Sequence, residues 1–88
     1  MNKLNSESVL YPVSSEKALR LMEGENKLVF VVSRKSTKAQ VKEDIEKLFG
    51  VKVLSINTYL TPGAVKKAIV KLDSSTPAMD VATKLGLM

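Results

Sequence analysis

The chain predicts an α+β fold, a compact αβ plait with a mostly antiparallel sheet packed with helices, and three observations carry that expectation. Stretches with strand character and stretches with helical periodicity follow one another in the order β-α-β-α-β-β-α. Residues 28–32 form a continuous Leu-Val-Phe-Val-Val run, too short for a helix and rich in β-branched side chains. Thr61, Pro62, Gly63 and Ala64 have the composition of a hairpin tip between two further strand-like segments.

The first eight residues are polar and are expected to be flexible. Val9, Leu10 and Tyr11 make a short extended segment ended by Pro12. Ser14 or Ser15 can cap a helix over residues 16–23, with Glu16 near its positive end and Ala18, Leu19 and Met22 facing inward; Gly24 is expected to stop it. The 28–32 run reads as a central strand covered on both faces. A basic loop follows, and then the stretch around which the chain is organised. Thr37 and Gln40 have the spacing of a capping box. Val41, Ile45, Leu48 and Phe49 fall on one stripe of a helix, with Phe49 expected to be buried, while Lys42, Glu43, Asp44, Glu46 and Lys47 take the solvent side. Gly50 suits the left-handed position that ends a helix.

Residues 51–60 are rich in β-branched and aromatic types, as strands are. Their apolar phase shifts from odd positions (Val51, Val53) to even ones (Leu54, Ile56). A bulge near Leu54 explains this, and so does burial on both faces. Pro62 and Gly63 suit the centre of a type II turn. Residues 65–72 return with Ala68, Val70 and Leu72 on one face, and with Lys67 and Lys71 flanking Ile69 on the other. After a turn at Asp73–Ser74–Ser75, Thr76 caps a last helix with Pro77 at its first position. Met79, Val81, Ala82 and Leu85 are its apolar positions, and Gly86 ends it.

Eighty-eight residues amount to a single domain, 1–88, with one small core. Fourteen Lys and Arg against nine acids give a net charge of +5, a field that favours polyanions or an anionic surface. The chain has neither cysteine nor histidine, which removes thiolate chemistry, imidazole bases, Cys/His zinc sites and disulfides. No apolar run approaches the ~20 residues of a membrane span, and the N-terminus lacks the apolar core of a signal peptide, so a soluble cytosolic protein is expected, with no membrane insertion. The acids fall in no catalytic or metal-ligand spacing. Small α+β plaits include acylphosphatase-like enzymes, but those need an Arg in a glycine-bearing phosphate loop; here the first helix is entered through Tyr11–Pro12–Val13–Ser14–Ser15. Neither a P-loop nor a GxGxxG occurs. No enzyme, cofactor, metal or small-molecule substrate is therefore expected.

The basic residues are uneven. Arg34, Lys35 and Lys38 crowd one loop, with Lys42 a turn further on, and Lys66 and Lys67 adjoin where the hairpin returns, both expected to face solvent. Such clusters can straddle an RNA backbone and give salt-dependent affinity without reading sequence. Asn57 and Thr58 can hydrogen-bond bases or 2′-hydroxyls, and Tyr59 can stack. An RNA-recognition motif is disfavoured, because Phe30 sits alone in an aliphatic run and reads as core. The rival is a small regulatory or interaction domain that pairs sheet to sheet with a protein and binds no RNA; it accounts for the fold and leaves the clustered lysines unexplained.

In order along the chain, Pro12–Val13–Ser14–Ser15–Glu16–Lys17–Ala18, Asn26–Lys27–Leu28–Val29–Phe30–Val31–Val32, Thr37–Lys38–Ala39–Gln40–Val41–Lys42, Leu48–Phe49–Gly50–Val51–Lys52–Val53, Ile56–Asn57–Thr58 and Lys66–Lys67–Ala68–Ile69–Val70–Lys71–Leu72 form a specific set. A closing Ala82–Thr83–Lys84–Leu85–Gly86 extends it. The set resembles the universal large-subunit ribosomal protein twenty-three family, found at the polypeptide exit tunnel. Bacterial members carry a long basic hairpin where this chain has only residues 59–65, and eukaryotic members carry a long basic N-terminal extension. The chain looks like the archaeal kind, and so short a hairpin gives no basis for expecting reach into the tunnel lumen. Where the family often has a charged or aromatic residue before the Thr-Lys pair, this chain has Ser36, which is assigned no base contact. The resemblance implies a structural constituent of the ribosome in the cytoplasm. Its implied partners are 23S-type rRNA, neighbouring large-subunit proteins and, through an exposed Glu16 and Lys17, the signal recognition particle. The residues expected to meet rRNA are Arg34, Lys35, Lys38, Lys42, Asn57, Thr58, Tyr59, Lys66 and Lys67.

Overall fold

The structure, a computed structural model, describes residues 8–85. The expected flexibility of residues 1–7 and the expected role of Gly86 lie outside the described residues. The elements are β1 (Val9–Pro12), α1 (Glu16–Glu25), β2 (Lys27–Val32), α2 (Lys38–Phe49), β3 (Val53–Leu60), β4 (Lys66–Leu72) and α3 (Ala78–Lys84). The strands form one sheet in the order β1-β2-β4-β3, and every pairing is antiparallel. The β-α-β-α-β-β-α order is the one expected.

Alternation along the strands divides the sheet into two faces. Leu28, Phe30 and Val32 of β2 and Ala68, Val70 and Leu72 of β4 join Met22, Val41, Ile45, Ala78, Val81 and Ala82 from the three helices in a single core. The helices therefore cover one face only. Val29 and Val31 are buried as expected, but no helix lies over them. Their strand is flanked on both sides by paired strands, β1 and β4. The phase shift in β3 is a bulge: the register slips between Val53 and Ser55, which leaves Leu54 53% exposed and excludes a strand buried on both faces.

Helix α2 starts and stops as its sequence dictates. The Thr37 hydroxyl accepts the Gln40 N–H at 3.2 Å and the Gln40 side chain accepts the Thr37 N–H at 2.9 Å, the reciprocal capping box. Gly50 closes the helix at φ 63°. Val41 and Ile45 are fully buried. Phe49, expected buried, is half-buried and stacks on Phe30 with ring centroids 6.0 Å apart. Two of the acids expected on the solvent side are half-buried instead. Asp44 accepts the Ser8 N–H at 3.2 Å, and Glu46 accepts the Val53 N–H at 3.3 Å, so each ties the helix to a strand entrance. Ser8, expected in the flexible start, is buried, and its carbonyl receives the Ser33 N–H.

Two further departures, at Gly24 and at Thr76, have one cause, Asn26. Ser15 caps α1 through the Ala18 N–H, but Gly24 does not end the helix; it continues to Glu25, and Asn26 takes the left-handed cap at φ 55°. Asparagine enters that region more readily than most residues, and here its amide is held by partners far along the chain. Its Nδ2 lies 3.2 Å from each of three carbonyls, those of Leu72, Asp73 and Thr76, sharing two protons among them. Its Oδ1 accepts the Ala78 N–H, the first of α3. Thr76 is therefore not the cap of α3. Pro77 occupies that position without a side-chain bond, and the cap comes from Asn26, 52 residues away. Met79, expected inward on α3, is 44% exposed.

The hairpin tip also differs from expectation. Gly63 does not have a positive φ, whereas Ala64 has φ 60°. The Ala64 N–H donates to the Thr61 carbonyl and the Thr61 N–H to the Val65 carbonyl. This is the pattern of a type I turn at Pro62–Gly63 followed by one left-handed residue, the common three-residue hairpin loop. A type II turn would have left the right-handed strand twist less well matched.

Candidate nucleic-acid interface

The loop between β2 and α2 is built by two serines. The Ser33 carbonyl accepts both the backbone N–H and the hydroxyl of Ser36, and the Ser33 hydroxyl accepts the Lys35 N–H at 3.4 Å. Ser36 is only 6% exposed. Its carbonyl accepts a hydrogen bond from Lys66 Nζ at 2.7 Å. The position left without a base contact on sequence grounds is thus an internal brace. With its serines turned inward, the loop holds Arg34, Lys35 and Lys38 exposed, and Lys42 is exposed a turn further along α2.

Lys66 and Lys67 do not act as one solvent-facing pair. Strand alternation sends them to opposite faces, and both are half-buried. Lys66 binds the back of the loop, while Lys67 stands opposite Val31 and Tyr59 on the uncovered face. Asn57 and Thr58 are divided in the same way. Asn57, paired with Ile69, is on the uncovered face; Thr58, paired with Ala68, is on the helix side and half-buried. Glu16 and Lys17 are exposed at the start of α1. β1 carries the chain there, away from the end of the sheet where the basic loop lies.

Sequence reasoning placed Tyr11 only in a short extended segment. The register places it opposite Val31, in one row with Lys67 and Tyr59. Nothing local in the sequence signals this, because it depends on the order of the strands.

The electrostatics separate the cations into two kinds. Arg20 pairs with Glu16 at 2.8 Å, Lys27 with Glu25 at 3.1 Å and Lys47 with Glu43 at 3.0 Å. The Glu43 carboxylate, by hydrogen bond and charge, holds Lys47 above the usual lysine range. Among the described residues, Arg34, Lys35, Lys38 and Lys42 have no such carboxylate, and their like charges lie close together on one loop.

Fold and site together define a basic α+β domain that presents, among the described residues, a cationic loop without carboxylate partners beside a sheet face that none of the described helices covers. The Ribosomal protein L23 family matches residues 7–79. The large ribosomal subunit protein uL23 of Pyrobaculum aerophilum is 50% identical over 76 residues, 86% of this chain and 94% of that protein. The uL23 of Methanococcus vannielii is 47% identical over 76 residues, 86% of this chain and 88% of its own. This chain belongs to the ribosomal protein L23 family and is of the archaeal type. Membership makes it a structural, non-enzymatic constituent of the large ribosomal subunit, a cytoplasmic ribosomal component whose partners are rRNA and other ribosomal proteins.

Proposed function

We propose that this chain binds 23S-type rRNA at the polypeptide exit tunnel, and that the β2–α2 loop makes the backbone contacts. The observation that carries this reading is the clustering of exposed cations on one braced loop. Arg34, Lys35, Lys38 and Lys42 are exposed with no carboxylate partner among the described residues, on a loop whose own polar atoms are turned inward. An unpaired cation on a braced loop meets phosphate with little reorganisation. Lys66 serves this site from behind by holding the Ser36 carbonyl.

The test is binding of the full chain to a transcribed 23S-type rRNA fragment as salt is varied. Replacing Arg34, Lys35 and Lys38 by Gln is expected to lower the slope of log K against log[salt] by roughly 2–3 units, near 0.9 for each phosphate no longer neutralised. An unchanged slope in a folded triple variant would remove the loop from the interface.

The same reading extends to the docking of factors that meet nascent chains. Glu16 and Lys17 are exposed away from the basic loop, and the Glu16–Arg20 pair is solvent-exposed and weakly held, so a partner such as the signal recognition particle can engage that helix start with little penalty. Glu16→Lys should reduce retention of signal recognition particle on large subunits while leaving rRNA affinity unaltered. Equal retention by the variant would sink this part of the proposal.

A further inference from the structure

The sheet face that none of the described helices covers has its own chemistry. Residues directly opposite in paired strands share a face. One row therefore runs Tyr11, Val31, Lys67, Tyr59 across all four strands. Beside it lies Val29, Ile69, Asn57, and then Lys27, Lys71, Ser55. None of these positions is an Asp or Glu. Lys27, at the margin, is paired with Glu25 of α1, whereas Lys67 and Lys71 have no ion pair among the described residues. Val29 and Val31 form an apolar floor at 7% and 6% exposure. The two tyrosines are the only ones in the chain, which has no tryptophan. They bracket the floor on the two edge strands, roughly 14 Å apart at three strand spacings of about 4.8 Å.

We propose that this face is a stacking platform for unpaired rRNA nucleotides, separate from the basic loop. Bases lie on the rings of Tyr11 and Tyr59. Lys67, between them, and Lys71 meet the phosphates. The Asn57 side-chain amide, two residues along β3 from Tyr59, hydrogen-bonds a base edge. Aromatic rings above an apolar floor with cations interspersed are what single-stranded nucleic acid requires of a surface. A polynucleotide brings a phosphate with every nucleotide to meet the two lysines while its bases cover the rings. The proposal rests on the rRNA reading above and adds a second surface that carries base contacts where the loop carries phosphate contacts.

Because both tyrosines lie on this face and tryptophan is absent, the intrinsic emission of the full chain reports this face alone. On titration with a transcribed 23S-type rRNA fragment, the emission should be quenched in step with binding. Tyr11→Leu and Tyr59→Leu should each weaken binding by roughly 5- to 100-fold with the salt slope unchanged, and Tyr11→Phe and Tyr59→Phe should retain affinity. Unquenched emission at saturation overturns the platform, as does wild-type affinity in the doubly Leu-substituted protein with its fold intact by circular dichroism. A protein partner would then be the occupant of the face. Failure of the rRNA reading looks different: no binding by the wild type, or a salt slope indifferent to the loop substitutions.

Discussion

The two ends of the sheet use their polar atoms in opposite ways. At the end where β2 begins and β4 finishes, Asn26 turns every group it has inward. Its N–H donates to Leu21, its carbonyl receives Leu72, and its side chain serves three carbonyls and the first N–H of α3. At the other end, Ser33 and Ser36 also close a loop on itself, but its charges remain outside and one lysine from a neighbouring strand holds it from behind. Polar groups satisfied within the fold stabilise it and are lost to ligands; charges left exposed add little stability and remain available. Internal polar bonding is thus concentrated at the Asn26 end, and the charges left available to a ligand at the loop end.

The largest effect that tests this contrast is Asn26→Ala. Loss of a residue suited to φ 55°, of a helix cap and of the partner for partly buried carbonyls should together cost about 3–4 kcal/mol. In a domain of this size that lowers the unfolding midpoint by roughly 15–25 °C. Asn26→Gly, which restores only the backbone freedom, should lose about 2 kcal/mol. At the loop end, Arg34→Gln with Lys38→Gln should change stability by no more than ~0.5 kcal/mol. Denaturant unfolding compares all of these, and similar losses at both ends would break the contrast.

Lys66→Met should fall between. It keeps the aliphatic stem but forfeits the bond to the Ser36 carbonyl, at about 1 kcal/mol. Faster amide exchange confined to residues 33–38 would identify the loop as what was loosened, whereas loosening throughout the chain would argue for a general packing defect.

The hairpin tip sharpens the picture further, since it adjoins the loop end. Ala64→Gly relieves a left-handed alanine and should stabilise by about 1 kcal/mol. Gly63→Ala, whose added Cβ meets nothing within 4 Å, should stay within ~0.5 kcal/mol of wild type. A large loss for Gly63→Ala and none for Ala64→Gly would restore the type II turn.

The smallest effect is an acid-side one at the Asn26 end. The Ser75 N–H, 2.9 Å from the Asp73 carboxylate, together with the Ser75 hydroxyl, holds Asp73 below the usual carboxylate range. A depressed folded pKa contributes stability fully above the unfolded value of about 3.9, and the contribution is lost as pH falls through the lower folded value. Carboxyl titration followed by NMR should place Asp73 below the ordinary aspartate value, and Ser75→Pro, which removes the N–H, should raise it. An Asp73 that titrates normally would leave this turn without an electrostatic part.

Much of the fold follows from local sequence. The capping box at Thr37 and Gln40, the stripe from Val41 to Phe49, the left-handed Gly50 and the alternation of β4 each depend on neighbours a few residues apart, so spacing alone specifies them. The basic loop was legible for the same reason: its cations are consecutive or one turn apart. Tertiary structure decided whatever needed a partner distant in the chain. Gly24 looked like a helix stop because the three carbonyls that bind Asn26 lie 46 to 50 residues away. Thr76 looked like a cap because Asn26 Oδ1 reaches Ala78 only in the folded chain. Lys66 and Lys67 looked like one patch because adjacency in sequence means opposite faces in a strand, and which face is covered is set by where the helices pack. Tyr11 joins Tyr59 and Lys67 only once the strand order β1-β2-β4-β3 brings four strands side by side. Spacing fixes which face of a segment a residue occupies, whereas strand order and long-range hydrogen bonds fix what that face meets.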